Sequence, residues 1–80
     1  MLTIGQFSKI CMVTVKALRH YDAVGLLRPC RVKEDTGYRY YSEEQIPEMI
    51  LINKLKRCGF SLADIKDIMS SDKDVLIARL

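Results

Sequence analysis

Apolar positions along the chain recur with two different periods. Ile4, Phe7, Ile10 and Cys11 are spaced by three and four, the period of one buried helical face. After a short break at Met12 and Val13 the helical period resumes. Val15 and Leu18 lie near Ala17 and Tyr21 on a mainly apolar side, while Lys16, Arg19, His20 and Ala23 fall together on the other. Residues 28–41 change to steps of two: Arg31-Val32-Lys33 and Tyr38-Arg39-Tyr40 alternate around a polar Glu34-Asp35-Thr36-Gly37, which predicts a β-hairpin. Beyond it, Ile46, Met49, Ile50, Leu51, Ile52 and Leu55 make a helix apolar nearly all round, expected to touch neighbours on several sides. Leu62, Ile65, Ile68 and Met69 form a narrower stripe, and Val75, Leu76, Ile77 and Leu80 open one more apolar-rich segment.

Capping residues place the boundaries. Thr3-Ile4-Gly5-Gln6 and Ser42-Glu43-Glu44-Gln45 fit the capping box, in which a hydroxyl and an amide satisfy free backbone N–H groups reciprocally. Ser61 to Asp64 and Ser71 to Asp74 are looser versions, and Thr14 is a plain N-cap. Gly25 and Gly59 suit the left-handed residue that closes a helix. Helices are therefore expected over about 4–11, 15–24, 43–58, 62–70 and from 72 onward. Pro47, past the first turn of the third, removes one helical hydrogen bond and loosens that turn. A helix that begins at 72 and stops with the chain leads to the expectation that the natural protein continues. Two short helices joined tightly, the second with a basic face, describe a helix-turn-helix; an αα-hairpin with a solvated face fits the same segment.

Composition narrows the function classes. Eighty residues make one small domain with a thin core, which disfavours an enzyme with a large buried pocket. The net charge of +3 is uneven: residues 1–41 carry +4 and residues 42–80 carry −1. A basic half suits a polyanion, although a solubilising surface would look the same. Cys11, Cys30 and Cys58, 19 and 28 residues apart, match neither a disulfide framework nor a Cys-x-x-Cys metal site. They read as reduced thiols of a cytoplasmic protein, packed as small core fillers. No apolar run approaches the roughly 18 residues of a membrane helix, and the N-terminus lacks the pattern of a signal peptide. His20, the single histidine, has no partner at metal-ligand or catalytic spacing, so nothing points to a metal, a cofactor or a catalytic residue.

Five pieces stand in order: Thr3-Ile4-Gly5-Gln6-Phe7-Ser8, Val15-Lys16-Ala17-Leu18-Arg19-His20-Tyr21-Asp22, Gly25-Leu26-Leu27-Arg28-Pro29, Gly37-Tyr38-Arg39-Tyr40-Tyr41 and Gly59-Phe60-Ser61-Leu62. Together they resemble the N-terminal DNA-binding domain of MerR-family transcription regulators over essentially the whole chain, and the Arg19-x-Tyr21-Asp22 and Gly37-Tyr38-Arg39-x-Tyr41 elements look like the multidrug-sensing branch. The resemblance implies a mainly α fold: a winged helix-turn-helix with a two-stranded β-hairpin wing and two further helices (1–71), then the start of a truncated dimerisation helix (72–80). It also implies a homodimer that distorts double-stranded promoter DNA so that RNA polymerase can engage it. The effector ligand would bind a C-terminal region absent from these 80 residues.

By the same resemblance Lys16 and Arg19 face the major groove, where an arginine fork can pair with guanine. Thr14 caps that helix and touches a phosphate. Tyr21 lays its ring on the core and offers its hydroxyl to the backbone. Tyr38 and Arg39 hold phosphates or enter the minor groove, and Arg31 and Lys33 add charge. His20 departs from the family's usual aromatic, with a shorter reach that still permits stacking or donation to phosphate. Two other readings remain: a small DNA-bending protein of the excisionase type, and a protein-interaction module whose basic face docks an acidic partner.

Overall fold

The computed structural model describes residues 1–79, with side-chain surroundings for residues 1–70. The chain runs β1 (Leu2–Thr3), α1 (Ile4–Cys11), α2 (Val15–Ala23), β2 (Arg31–Val32), β3 (Arg39–Tyr41), a 3-10 turn (Glu43–Gln45), α3 (Ile46–Arg57) and α4 (Leu62–Arg79). The expected caps form at Thr3, Thr14 and Ser61. Gln6 N–H donates to Thr3 Oγ1 at 3.2 Å while Thr3 N–H donates to Gln6 Oε1 at 2.9 Å. Ala17 N–H donates to Thr14 Oγ1 and Asp64 N–H to Ser61 Oγ. The α1–α2 turn depends on an unusual residue: Met12 takes the left-handed conformation at φ 55°, so that Val13 N–H reaches back to the Ser8 carbonyl at 3.0 Å.

The hairpin forms where the alternation places it, with Val32 opposite Arg39 and Arg31 opposite Tyr40. A third strand joins it. Leu2 and Thr3 pair antiparallel with Tyr41 and Tyr40, giving the order β1-β3-β2. Two residues are too few to show a period of two, so this strand leaves no pattern in the sequence. It closes the inner edge of β3 and ties the hairpin base to the start of α1.

The core consists of Phe7, Cys11, Leu18, Tyr21, Leu26, Leu27, Tyr41, Met49, Ile52 and Ile65. At its centre the rings of Phe7 and Tyr41 stack at 4.4 Å and 12°. Several apolar positions expected inside lie outside. Ile10 is 51% exposed, and Ile50 and Leu51 on α3 are each about 40% exposed. A four-helix domain of this size covers one face of each helix, and α3 meets its neighbours on the face that carries the buried Met49 and Ile52 and the partly buried Ile46 and Leu55. Cys11 is a core filler as expected, but Cys30 and Cys58 are exposed, because one sits before β2 and the other at the end of α3.

Two helix boundaries differ from expectation. Pro47 is the second residue of α3, and the segment before it is a 3-10 turn rather than the first α-turn. Pro47 has no N–H to give the Glu43 carbonyl, so the tighter turn costs no hydrogen bond there. The expected break before 72 is absent, and α4 runs on to Arg79. No Gly or Pro interrupts Leu62–Arg79. Serine and aspartate are only weak helix formers, so a capping pattern at Ser71 does not compel a new start. The side chains of the expected apolar edge at Val75, Leu76 and Ile77, and all of Leu80, fall outside the described residues.

Tyr41 carries the clearest stability consequence. Its hydroxyl is buried without a hydrogen-bond partner among the described residues. Tyr41→Phe should therefore leave stability unchanged or raise it, whereas Tyr41→Ala should cost about 3–5 kcal/mol. That is a large part of the roughly 4–12 kcal/mol expected for a domain this size. Burial first, and then the Asp22 carboxylate, push the Tyr41 phenol above its ordinary value of 10.0, with Arg39 opposing. A raised folded value favours the neutral ring, so its contribution is intact below about pH 10 and falls as pH rises through the folded value. Urea titrations at neutral and alkaline pH check both points, and Tyr41→Phe should show the smaller alkaline loss.

Candidate nucleic-acid interface

The second helix presents two faces. Leu18 and Tyr21 are buried, while Lys16, Arg19 and His20 are exposed together on the opposite stripe. Thr14, also exposed, caps the N-terminus of this helix, so the partly positive end and the basic stripe share one surface. Beside it stands the wing. Lys33 N–H bonds the Tyr38 carbonyl at 2.9 Å, and Gly37 N–H bonds the Lys33 carbonyl at 2.7 Å with Gly37 at φ +73°. Both residues of β2 are exposed, as are Lys33 and Tyr38, the latter at 65%. The hairpin therefore projects from the core, with cations and an aromatic ring in solvent.

Between helix and wing lies a cleft of about 260 Å³ lined by Thr3, Ile4, Arg19, Gly37, Tyr38, Arg39 and Tyr40. It brings Arg19 of the helix to the same opening as Tyr38 and Arg39 of the hairpin. A second hollow on the wing gathers Arg31, Lys33, Tyr40 and Met1. Tyr21 is not at this surface. It is buried, and its hydroxyl accepts from Lys56 Nζ at 3.0 Å, with the ammonium 5.5 Å from the ring centroid. Arg39 is half-buried, and its Nε donates to Asp22 Oδ2 at 3.1 Å.

Other residues at or behind this surface were missed in the sequence. Asp22 lies four residues after Leu18, on the buried flank of α2, and Arg39 is two before Tyr41, on the inward side of its strand. Those offsets were the available signal for their meeting. Asn53 Nδ2 donates to the Cys11 carbonyl at the end of α1, and Lys66 Nζ donates to the Val24 carbonyl at the end of α2. Gln45 Nε2 donates to the Arg28 carbonyl at 2.6 Å. Thus α3 and α4 each fasten a backbone end of the helix-turn-helix, and the 3-10 turn fastens the segment that leads into the wing. No spacing rule announces such contacts, because they join segments 17 to 42 residues apart. Among the described residues no cluster of His, Cys, Asp and Glu could hold a metal ion, and no helix is long and apolar enough to cross a membrane.

The family described as MerR HTH family regulatory protein matches residues 2–72. Over 65 residues the chain is 49% identical to the transcriptional regulator BrlR of Pseudomonas aeruginosa, covering 81% of this chain and 24% of that protein. Over 76 residues it is 40% identical to the multidrug-efflux transporter 1 regulator of Bacillus subtilis, covering 95% of this chain and 27% of that one. The chain thus spans about a quarter of the length of these relatives. Among solved structures it is similar to EcmrR in a DNA complex, with a TM-score of 0.84 and 38% identity over 88% of this chain and 26% of that chain. It is also similar to the N-terminus of the Bacillus subtilis multidrug transporter activator, with a TM-score of 0.78 and 28% identity over 99% of this chain and 84% of the other.

The cap at the head of α2 supports this surface directly. Thr14→Ala removes the acceptor for Ala17 N–H and should lower stability by about 0.5–2 kcal/mol, whereas Thr14→Ser should largely retain it. Thermal unfolding of the two variants beside the parent checks the role.

Proposed function

The chain belongs to the MerR HTH family of regulatory proteins, and from that premise we propose that it is the sequence-specific DNA-binding part of a ligand-responsive transcription regulator. The observation that carries this reading is the cleft that sets Arg19 on an exposed helix opposite Tyr38 and Arg39 on a projecting hairpin. A helix of this diameter fits the major groove, and a hairpin beside it meets the adjoining backbone. In that arrangement Lys16 and Arg19 read base edges. Thr14, His20, Arg31, Lys33 and Tyr38 hold sugar-phosphate, and Arg39 stands at the floor of the cleft. Tyr21, its hydroxyl engaged by Lys56, supports the helix from behind.

The family and the neighbour solved in a DNA complex favour this over a protein-interaction module, which has no need of a wing. The same likeness favours a regulator over an excisionase-type protein. By analogy with the relatives, the whole protein acts in the cytoplasm as a homodimer on promoter DNA, within reach of RNA polymerase. A region outside these 80 residues takes the effector, and relatives named as multidrug-efflux regulators support a drug-like organic molecule. In the proposed division of the chain, residues 1–71 bind DNA and the stretch from 72 begins the dimerisation element.

Duplex binding should weaken steeply with salt, log K falling with log salt at roughly −0.9 per phosphate neutralised. Fluorescence titrations across a salt series measure the slope, and a flat line is incompatible with a polyanion ligand. Arg19→Ala should cost about 1–3 kcal/mol and relax preference at one base pair, whereas Lys33→Ala should weaken all duplexes alike and flatten the slope by about one. Competition with single-base variants separates the two. The same specificity profile in both variants would refute this assignment of base-reading and phosphate-holding roles.

A further inference from the structure

Asp22 occupies a position where general electrostatics disfavours an acid. It is the last residue but one of α2, where the helix dipole prefers a cation. Through Arg39 it adjoins a cleft whose charged lining residues, Arg19 and Arg39, suit a polyanion, and a bare carboxylate behind them repels phosphate. Its one partner among the described residues offsets both penalties: Arg39 Nε donates to Asp22 Oδ2 at 3.1 Å, with the side chains 34% and 23% exposed. Among the described residues this is the one side-chain hydrogen bond or ion pair that joins the wing to α2. The wing needs such a tie. Both residues of β2 are exposed, so beyond Tyr41 and the half-buried Tyr40 the hairpin has little packing to fix its angle. The tie also lies next to the residues that matter, since Asp22 is one turn after Arg19 and Arg39 adjoins Tyr38.

We propose that Asp22 and Arg39 form a positioning pair that holds the wing at a set distance from the base-reading helix, so that Asp22 gives up non-specific affinity in return for discrimination between sequences. This inference rests on the DNA-binding reading above. In the pair, Arg39 is restrained from serving as a freely swinging phosphate anchor. Register between α2 and the wing is then rigid, and only a duplex whose bases and backbone suit both elements at once satisfies Arg19 and Tyr38 together.

The test uses one duplex selected by the parent chain from a library with a randomised centre, and the unselected library as the random competitor. Asp22→Asn frees Arg39 for phosphate. Affinity for random duplex should hold or rise, the salt slope should steepen by about one, and the selected-to-random ratio should fall about fivefold or more, the scale of one misplaced base contact. Arg39→Gln should lower the ratio to a similar level by a different route, weakening random binding because Asp22 is left bare. The double variant should recover random affinity with no further loss of ratio. Circular dichroism confirms that each variant folds, and Asp22→Glu, which keeps the charge, should recover part of the ratio. The proposal is overturned if Asp22→Asn leaves the ratio unchanged. It is equally overturned if Arg39→Gln weakens selected and random duplexes alike, both in the parent and in the Asp22→Asn variant, the mark of an independent phosphate anchor. A parent chain that selects no duplex from the library would instead refute the DNA-binding reading itself, and the pair with it.

Discussion

The stack of Tyr41 on Phe7 is the contact on which the arrangement of this domain depends. A two-stranded hairpin has no core of its own and is marginal in water. Here its inner strand contributes one fully buried ring to the helical core, 4.4 Å from the ring of Phe7 on α1. Pairing of Leu2 and Thr3 with the same strand adds backbone bonds at the same place. The wing is thus anchored at its base and free at its tip. The buried hydroxyl of Tyr41, unpartnered among the described residues, is the cost of using an amphipathic residue for this anchor.

A second constraint is the backbone at helix ends. The last carbonyls of a helix have no partner within it. Asn53 and Lys66 supply partners for α1 and α2, and Gln45 does so for the Arg28 carbonyl before the wing. Lys56 adds a donor to the Tyr21 hydroxyl. The polar faces of α3 and α4 therefore have a structural role that burial alone would not reveal. They lock the orientation of the two helices in front, and the exposed stripe of Lys16, Arg19 and His20 inherits that orientation.

Recognition of a duplex by such a surface turns on pre-organisation. Long cationic side chains lose rotamer freedom when they bind, and a surface whose elements are already placed has less to lose. The cleft between α2 and the wing is bounded by backbone held from both sides, by the cap at Thr14 and by the tight turn closing at Gly37. Within it the side chains differ in kind: Arg19 and Tyr38 are exposed, while Arg39 is partly withdrawn.

Much of this was legible in the amino-acid sequence because it depends on local physics. The caps at Thr3, Thr14 and Ser61 and the closures at Gly25 and Gly59 involve residues within one turn of each other. The period of two around Gly37 marked the wing, and the three-and-four spacing marked the helices. The ordered motifs supplied the family, and with it the location of the basic surface. What the tertiary structure decided is what depends on distant partners. Only packing separates Met49 and Ile52 from the equally apolar Ile50 and Leu51, because one face of α3 finds neighbours and the other does not. Only the fold makes a strand of Leu2 and Thr3, whose partners lie nearly forty residues away. Arg39 read as a free cation on a hairpin, and it became half of an ion pair because the sheet carries it to Asp22 across 17 residues of chain. A sequence states which groups are available, and the free energy of bringing remote groups together selects which of them meet.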